Sequence, residues 1–240
     1  MQQDYAQHYR TLYEQHWWWR CRENLLLREL HQFAGDRREM KLLDVGCGDG
    51  LFFPKLRQFG QVWGVETDAS IVAQDNPDRD SIHVGFMDED CPHRGPFSVI
   101  LMLDVLEHID QPEEPLRYAA SLLEPDGILL ITVPAFQSLW TRHDEINHHY
   151  RRYTKASMRA LADRSGVLID RAEYFYHWLV PAKMLVRAKE AMIAGEPAPA
   201  GLPPPWINQT LQIISNWERR LAGWMNLPVG SSLLTVARRA

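Results

Sequence analysis

Cysteine, basic charge and long apolar runs are all scarce in this chain of 240 residues. Its cysteines, Cys21, Cys47 and Cys91, form no CxxC pair. We therefore expect no disulfide framework and no zinc site, but a reducing, cytoplasmic setting. No stretch reaches the roughly 18 consecutive apolar residues of a membrane-spanning helix, and no secretion signal is recognisable at the amino terminus. Lys and Arg total 26 against 31 Asp and Glu. We expect no nucleic-acid partner, because gripping a phosphodiester backbone normally needs a basic excess.

Short apolar runs alternate with helical stretches along most of the chain. Strands are predicted at 41–45, 62–65, 82–84, 99–103, 128–133, 167–176 and 232–237. Helices are predicted within 1–35 and at 52–59, 69–74, 113–123, 154–165, 179–194 and 207–224. This alternation predicts an α/β, doubly wound (Rossmann-like), mostly parallel seven-stranded sheet with helices on both faces. We divide the chain into an N-terminal helical cap (1–40), an α/β core (41–178), a helical insertion (179–228) and a final core strand (229–240).

A glycine loop follows the first strand, in the segment LLDVGCGDG. Glycine allows a sharp turn there and a close approach of a ligand to the backbone. Glu66 ends the second strand about 20 residues later, the offset at which an acid can meet ribose hydroxyls. The glycine spacing is GxGxG, with Leu51 where a dinucleotide-binding loop has its third glycine. An adenosine-type cofactor without pyrophosphate therefore fits better than a dinucleotide.

These segments resemble class I S-adenosylmethionine-dependent methyltransferases, in particular the ubiquinone/menaquinone-biosynthesis-like branch that acts on small molecules. LLDVGCGDG is similar to the first motif of that family, VILMLDVLEHI to its fourth-strand motif and LLEPDGILLITVP to its fifth. Together they cover residues 41–134. HDEINHHYRRYT and HWWWRCR are similar to patterns in bacterial small-molecule members, which extends the likeness over most of the chain.

The resemblance implies S-adenosylmethionine as the cofactor and suggests its contacts. The loop and Asp44 would surround its methionine part, Glu66 would hold the ribose, Asp68 would lie near the adenine, and the Leu103 backbone would meet the amino group. One departure concerns the adenine: the family often has Gly-Asp after the third strand, whereas this chain has Asp88 three positions after Gly85. The full predicted set is Asp44, Gly46, Cys47, Gly48, Gly50, Glu66, Thr67, Asp68, Asp88, Leu103 and His108.

Histidine and arginine are concentrated in the loop 135–153. We predict that His143 or His149 is a general base or a substrate ligand, because histidine titrates in the useful range. The alternative is that these histidines only tie the loop to the body. Adjacent Arg151 and Arg152 could bind an anionic group of the substrate, or pair with Asp144 or Glu145. The other predicted substrate contacts are Trp18, Arg20, Asn147 and Tyr153. Metal is not expected, since no recognised ligand spacing is present.

Three further features have two interpretations each. Trp17, Trp18 and Trp19 cannot all face one core, so we favour a lid over the cofactor, ahead of packing against the C-terminal helices. The amphipathic stretch 179–194 could contact a membrane peripherally or simply dock onto the body. Asp104 is predicted to be a helix N-cap. The oligomeric state is not indicated.

The sequence as a whole predicts transfer of a methyl group to an oxygen or carbon of a small-molecule or lipid-linked acceptor that carries an anionic group. Two alternatives are a protein or nucleic-acid methyltransferase and a non-catalytic S-adenosylmethionine-binding module. The acidic net charge and LDVLEH in place of a [DN]PP[YF] tetrad speak against the first.

Overall fold

The computed structural model describes residues 10–192, 201–222 and 227–240, without the side chains of 219–222. Seven strands form one sheet: β1 (Met40–Val45), β2 (Gly60–Glu66), β3 (Ile82–Val84), β4 (Phe97–Leu103), β5 (Leu123–Pro134), β6 (Val167–Phe175) and β7 (Ser232–Arg239). Their order across the sheet is β3-β2-β1-β4-β5-β7-β6. The first five strands run parallel, and β7 is antiparallel to both β5 and β6. The predicted doubly wound, mostly parallel sheet of seven strands is confirmed.

Helices cover both faces of this sheet. They are α1 (Trp17–Ala34), α2 (Phe53–Leu56), α3 (Glu113–Ser121), α4 (Arg142–Ile146), α5 (Lys155–Ser165), α6 (Leu179–Met192) and α7 (Pro205–Ala222), with a further helical segment at 10–15. Gly35 ends α1, as expected, and the Thr154 side chain caps α5 by accepting from the Ser157 N–H. The predicted α6 and α7 are confirmed where the structure describes them. Residues 193–194 and Trp224 lie outside the described residues.

Side chains alternate between two apolar cores along the strands. On β4, Val99 and Leu101 belong to the core that α1 covers, whereas Ile100 and Met102 belong to the core beneath α3 and α5. Period-two alternation requires this arrangement in a strand that is buried on both faces. Burial of both faces also explains why the strand sequence VILML is continuously apolar. The result is a rigid sheet whose strand ends can hold a site.

Three local predictions are wrong. Residues 69–74 form turns instead of a helix, because Asn76 binds the Asp49 side chain and main chain and folds this segment back onto the glycine loop. Asp104 does not cap a helix; it has a left-handed φ of +57° and the short 3₁₀ turn beyond it begins after Val105. The stretch 135–153 is not wholly a loop, since it contains α4, which begins with a capping box formed by Thr141 and Asp144. The division of the chain into four segments stays a prediction.

Candidate active site

The glycine loop leaves β1 through a backbone that only glycine adopts easily. Gly46, Gly48 and Gly50 all have φ between +56° and +71°. A Cβ on Gly46 would lie 2.7 Å from the Val105 Cγ2 atom. The loop therefore presses its bare backbone against the turn that follows β4, and the carboxyl ends of two neighbouring strands meet here.

Glu66 fastens this loop to the end of β2. Its Oε2 accepts the Gly48 N–H and its Oε1 accepts the Asp68 N–H, both at 2.9 Å. The residue is 8% exposed. An ionised carboxylate has about four acceptor positions, so each oxygen keeps capacity for another donor. Glu66 is thus held rigidly, and both of its oxygens can accept a hydroxyl of a ligand.

Asp44 lies beside Glu66 and is almost fully buried. Burial raises the pKa of Asp44 to about 7, against a lowering influence of Arg22 and with a further increase from Glu66. A carboxyl with such a pKa takes up or releases a proton near neutral pH. A cation bound next to it would favour the charged form, so this end of the site suits a positively charged ligand.

A cavity of about 1520 Å³ opens above the glycine loop. One wall consists of loop and strand-end residues, among them Asp44, Glu66 and Leu103. The N-terminal cap contributes Trp17, Trp18 and Trp19 to the lining. Trp17 is also buried in the core, where its ring centroid lies 5.4 Å from that of Trp178. The three indoles therefore line the cavity and pack against the core at the same time, and a lid over the cofactor stays a prediction.

Two ion pairs fix the cap over the cavity. Arg22 pairs with Asp104 and its guanidinium lies 4.7 Å from the Trp18 ring centroid. Arg10 donates from Nε to Asp49 at 2.6 Å, within the glycine loop. The left-handed backbone of Asp104, which the sequence did not reveal, turns its carboxylate towards the cap. Asp104, Arg22 and Asp49 were not predicted as site residues.

A buried ion network around Asp144 contributes His149 and Arg152 to the cavity lining. Asp144, whose side chain is fully buried, accepts Arg152 Nε and Nη2 at 2.8 Å each, and its Oδ1 is 2.9 Å from His149 Nδ1. Burial alone would raise the pKa of Asp144, but the hydrogen bonds from His149 and Arg152 outweigh it and hold that pKa well below its usual range. An Nδ1–H that donates to Asp144 leaves His149 Nε2 as an acceptor, as a general base requires.

His149 also meets two residues from the turn after β4. Its ring packs edge-on against His108 at 4.6 Å between centroids. Glu107, His108 and His149 each bring one candidate ligand atom within 4.8 Å of the others. The Glu107 Oε2 is buried and accepts no hydrogen bond from the residues described, and burial followed by the nearby Asp104 raises the pKa of Glu107. These three residues could hold a metal ion, although the sequence spacing gave no reason to expect one.

The comparison with known proteins agrees with this geometry. The profile of the family described as "Methyltransferase domain" matches residues 18–172. The chain belongs to the class I S-adenosylmethionine-dependent methyltransferases. The match contains the glycine loop, Glu66 and the network around Asp144, whereas Arg10, Trp17 and Lys183 lie outside it.

Named relatives and solved structures narrow the branch and support the fold. The chain is 33% identical over 106 residues to the mitochondrial ubiquinone biosynthesis O-methyltransferase of Saccharomyces cerevisiae, covering 40% of this chain and 34% of the relative. It is 27% identical over 173 residues to the ubiquinone biosynthesis O-methyltransferase of Caulobacter sp., covering 66% of this chain and 59% of the relative. A TehB-like methyltransferase from Corynebacterium glutamicum has the same fold, with a TM-score of 0.55, 18% identity and coverage of 100% and 98%.

Most of the site residues predicted for this methyltransferase domain do line the cavity, though their roles stay predictions. They are Asp44, Gly46, Cys47, Gly48, Glu66, Thr67, Asp88, Leu103, His108, Trp18, His143, Asn147, His149 and Arg152. Gly50, which is buried, and Asp68, which is exposed, do not belong to this lining. Three predicted substrate contacts also lie outside it: Arg20 is exposed, Arg151 donates to the Asp110 main chain, and the buried Tyr153 hydroxyl donates to the Leu106 carbonyl.

Lys183 is a cavity residue that sequence reasoning did not select for the site. It projects from α6 on the same helix face as Leu179, which also lines the cavity. Burial, followed by the charge of Arg152, lowers the pKa of Lys183 to about 8. The sequence predicts an amphipathic helix at 179–194, but periodicity does not reveal which of its basic residues turns inward.

Proposed function

We propose that this protein transfers the methyl group of S-adenosylmethionine to an oxygen or carbon of a small-molecule or lipid-linked acceptor that carries an anionic group. The observation that carries the proposal is Glu66, a buried carboxylate fastened to the glycine loop with acceptor capacity directed to the cavity. Such a group recognises an unphosphorylated ribose, because it can accept from both hydroxyls.

The described residues fit this cofactor. Glu66 would hold the ribose, and the glycine-loop backbone with Asp44 would surround the cationic methionine part. Asp88 lines the cavity on the β3 side, where adenine would lie. S-adenosylmethionine, when bound, supplies a methyl carbon already activated by its sulfonium. The protein must orient the acceptor and exclude water, and the cap wall of Trp18 and Trp19 provides an apolar cover.

His149 is the best candidate for the general base. Asp144 holds its ring through Nδ1, and Nε2 can take the proton of an acceptor hydroxyl. Asp144 then stabilises the imidazolium, and Arg152 balances the negative charge of Asp144 when His149 is neutral. His143 is the alternative, but its ring is more open to solvent at the cavity rim and no carboxylate orients it among the described residues.

An oxygen acceptor is favoured over carbon by the relatives, whose names give ubiquinone biosynthesis O-methylation. The matched segments span 34% and 59% of those two proteins, so activity and substrate are proposed for this chain. A cytoplasmic location is proposed on the same footing. Protein or nucleic-acid methylation is the other candidate; the acidic net charge of −5 gives it no support.

Mass spectrometry tests the proposal. The protein is incubated with S-adenosylmethionine and a small-molecule cell extract, and products heavier by one methylene are sought together with S-adenosylhomocysteine. The control is the Glu66→Ala variant in the same extract. Cofactor binding without any turnover, in extracts from several sources, would leave the non-catalytic alternative as the better account. Absence of cofactor binding would overturn the proposed function altogether.

We also propose that α6 contacts a lipid surface when the acceptor is lipid-linked. None of its described residues is buried, and Met184, Leu185 and Met192 are 58%, 73% and 78% exposed. The same helix carries Lys189 on its exposed surface and lines the cavity with Leu179. Among the described residues, no helix has the length and apolar character to cross a bilayer. An amphipathic basic helix with an open apolar face suits peripheral contact.

Vesicle sedimentation tests this contact. Wild-type protein should sediment with vesicles containing phosphatidylglycerol, and Leu185→Glu should reduce the bound fraction because a charge on the open face opposes insertion. Leu168→Glu, which adds the same charge at an exposed leucine of β6, is the matched control. Equal sedimentation of the wild type and Leu185→Glu, or no binding by the wild type, would refute lipid contact through α6.

A further inference from the structure

The charged residues of the cavity lining form two groups. Asp44 and Glu66 lie beside each other next to the glycine loop, where they suit a cationic ligand. Lys183 lies near Arg152 and Asp144, and His143 and His149 also line this part of the cavity, which we call the Asp144 end. The question is what the cations of the Asp144 end recognise.

Arg152 is not available to a ligand. Its Nε and Nη2 donate to the two carboxylate oxygens of Asp144, its Nη1 donates to the Ala135 carbonyl at 3.2 Å, and its side chain is 1% exposed. Asp144 is equally occupied, because it accepts from Arg152, His149 and Thr141. The charge of this pair is therefore balanced internally.

Lys183 is the cation left over at this end. It lines the cavity half-buried, and no described residue forms an ion pair or hydrogen bond with its ammonium. The acid Asp144 near it is already saturated, and Asp104 is paired with Arg22. A lysine that is partly removed from water with no partner is costly, so the cavity contains a positive position that lacks its counter-charge.

We infer that Lys183 forms an anion-binding subsite that holds a carboxylate or phosphate group of the methyl acceptor. The subsite rests on the proposed function, since it places the anion beside Arg152 and Asp144, next to His149, the proposed base for the acceptor. His143 and Asn147 line the same end and can add neutral hydrogen bonds. The predicted anion recognition by Arg151 and Arg152 is replaced by recognition through Lys183.

The protonation of Lys183 supports this role. Its pKa, lowered to about 8 by burial and Arg152, leaves the side chain mostly cationic at pH 7. The charged groups that face it are Arg152, Asp144, Asp104 and His143. An anion bound to the ammonium would raise the pKa again, so binding should be stronger at pH 7 than at pH 9.

The test uses benzoate, phenyl phosphate and the neutral analogue benzamide as probes. Their affinities are measured by ligand-observed NMR on the full chain saturated with S-adenosylhomocysteine. The wild type should prefer an anionic probe to benzamide by about tenfold, the value of one charge-assisted hydrogen bond. A stronger preference for benzoate identifies a carboxylate, and a stronger preference for phenyl phosphate identifies a phosphate.

Three variants decide the assignment. Lys183→Met should abolish the preference, whereas Lys183→Arg and the exposed control Lys189→Met should retain it. A preference that survives in Lys183→Met overturns the inference, and so does a wild type that binds the three probes equally. Unchanged S-adenosylhomocysteine affinity in Lys183→Met shows an intact cofactor site. A wild type that fails to bind S-adenosylhomocysteine would instead refute the proposed function.

Discussion

Replacement of Glu66 by glutamine removes one charge from the cofactor site without changing its shape. In the wild type the two carboxylate oxygens each accept a backbone N–H, from Gly48 and Asp68, at 2.9 Å. A glutamine has one oxygen and one amide nitrogen, so one of these N–H groups would face another donor. A hydrogen bond to a charged group contributes about 1.5–3 kcal/mol. The ribose would also lose its charged acceptor.

These losses together should weaken S-adenosylmethionine binding by about 3 kcal/mol, or roughly a hundredfold in Kd. Isothermal titration calorimetry measures this change directly. Glu39→Gln is the matched control, because Glu39 is exposed at the opposite end of the sheet, just before β1. Thermal unfolding without cofactor separates binding from stability. A well-folded Glu66→Gln protein that binds the cofactor as tightly as the wild type would refute the assignment of the ribose-binding carboxylate.

Three other predictions follow from the site. The pKa of Asp44 is raised to about 7 in the folded protein, so its protonated form stabilises the fold at low pH and this contribution is lost as the pH rises towards 7. Binding of the cationic cofactor near pH 6.5 should then release a proton from Asp44. The release is measured as a calorimetric heat that depends on the buffer, and Asp44→Asn should abolish that dependence. His149→Asn should lower kcat about a hundredfold and leave the cofactor Kd unchanged. The control variant His148→Asn, at an exposed position, should keep the wild-type kcat. Equal kcat values in the two variants would exclude His149 as the general base. Gly64→Ala should lower the free energy of unfolding by about 1–3 kcal/mol in urea titration, because the new Cβ would lie 2.4 Å from Cys47 Sγ; full wild-type stability would contradict this packing.

The sheet could be predicted because its pattern is local and redundant. Each strand is a short apolar run, and strands that alternate with helices have few possible arrangements. The helix predicted at 69–74 failed for a reason that is not local. Asn76 folds this segment onto Asp49, a residue 27 positions earlier, and turn formation there replaces the helix. The glycine loop and Glu66 could be predicted because the glycines directly follow the first predicted strand and Glu66 ends the second. These two strands are neighbours in the sheet.

The acceptor side could be predicted only in part. The sequence places the candidate residues His143, His149, Arg151 and Arg152 in one stretch. It leaves open whether the two arginines bind a ligand or pair with an acidic side chain. The structure assigns Arg152 to Asp144 and turns Arg151 outward. Lys183 follows Asp144 by 39 residues in the chain and lies on a different helix, α6. Only the tertiary packing of α6 brings Lys183 close to Asp144 and into the cavity lining.

The packing of the cap connects the insertion to the cofactor site. Asn208 on α7 accepts the Trp17 N–H at 2.9 Å and donates to the Gln15 carbonyl at 2.7 Å, across the break between the helical segment 10–15 and α1. These bonds satisfy main-chain groups at a helix start, which would otherwise be unpaired in a half-buried place. The insertion therefore fixes where the next residues of α1, Trp18 and Trp19, stand along the cavity wall. A segment outside the sheet thus sets the shape of the cavity, in which the strand ends and the glycine loop form one part of the lining and α1 and α6 contribute another.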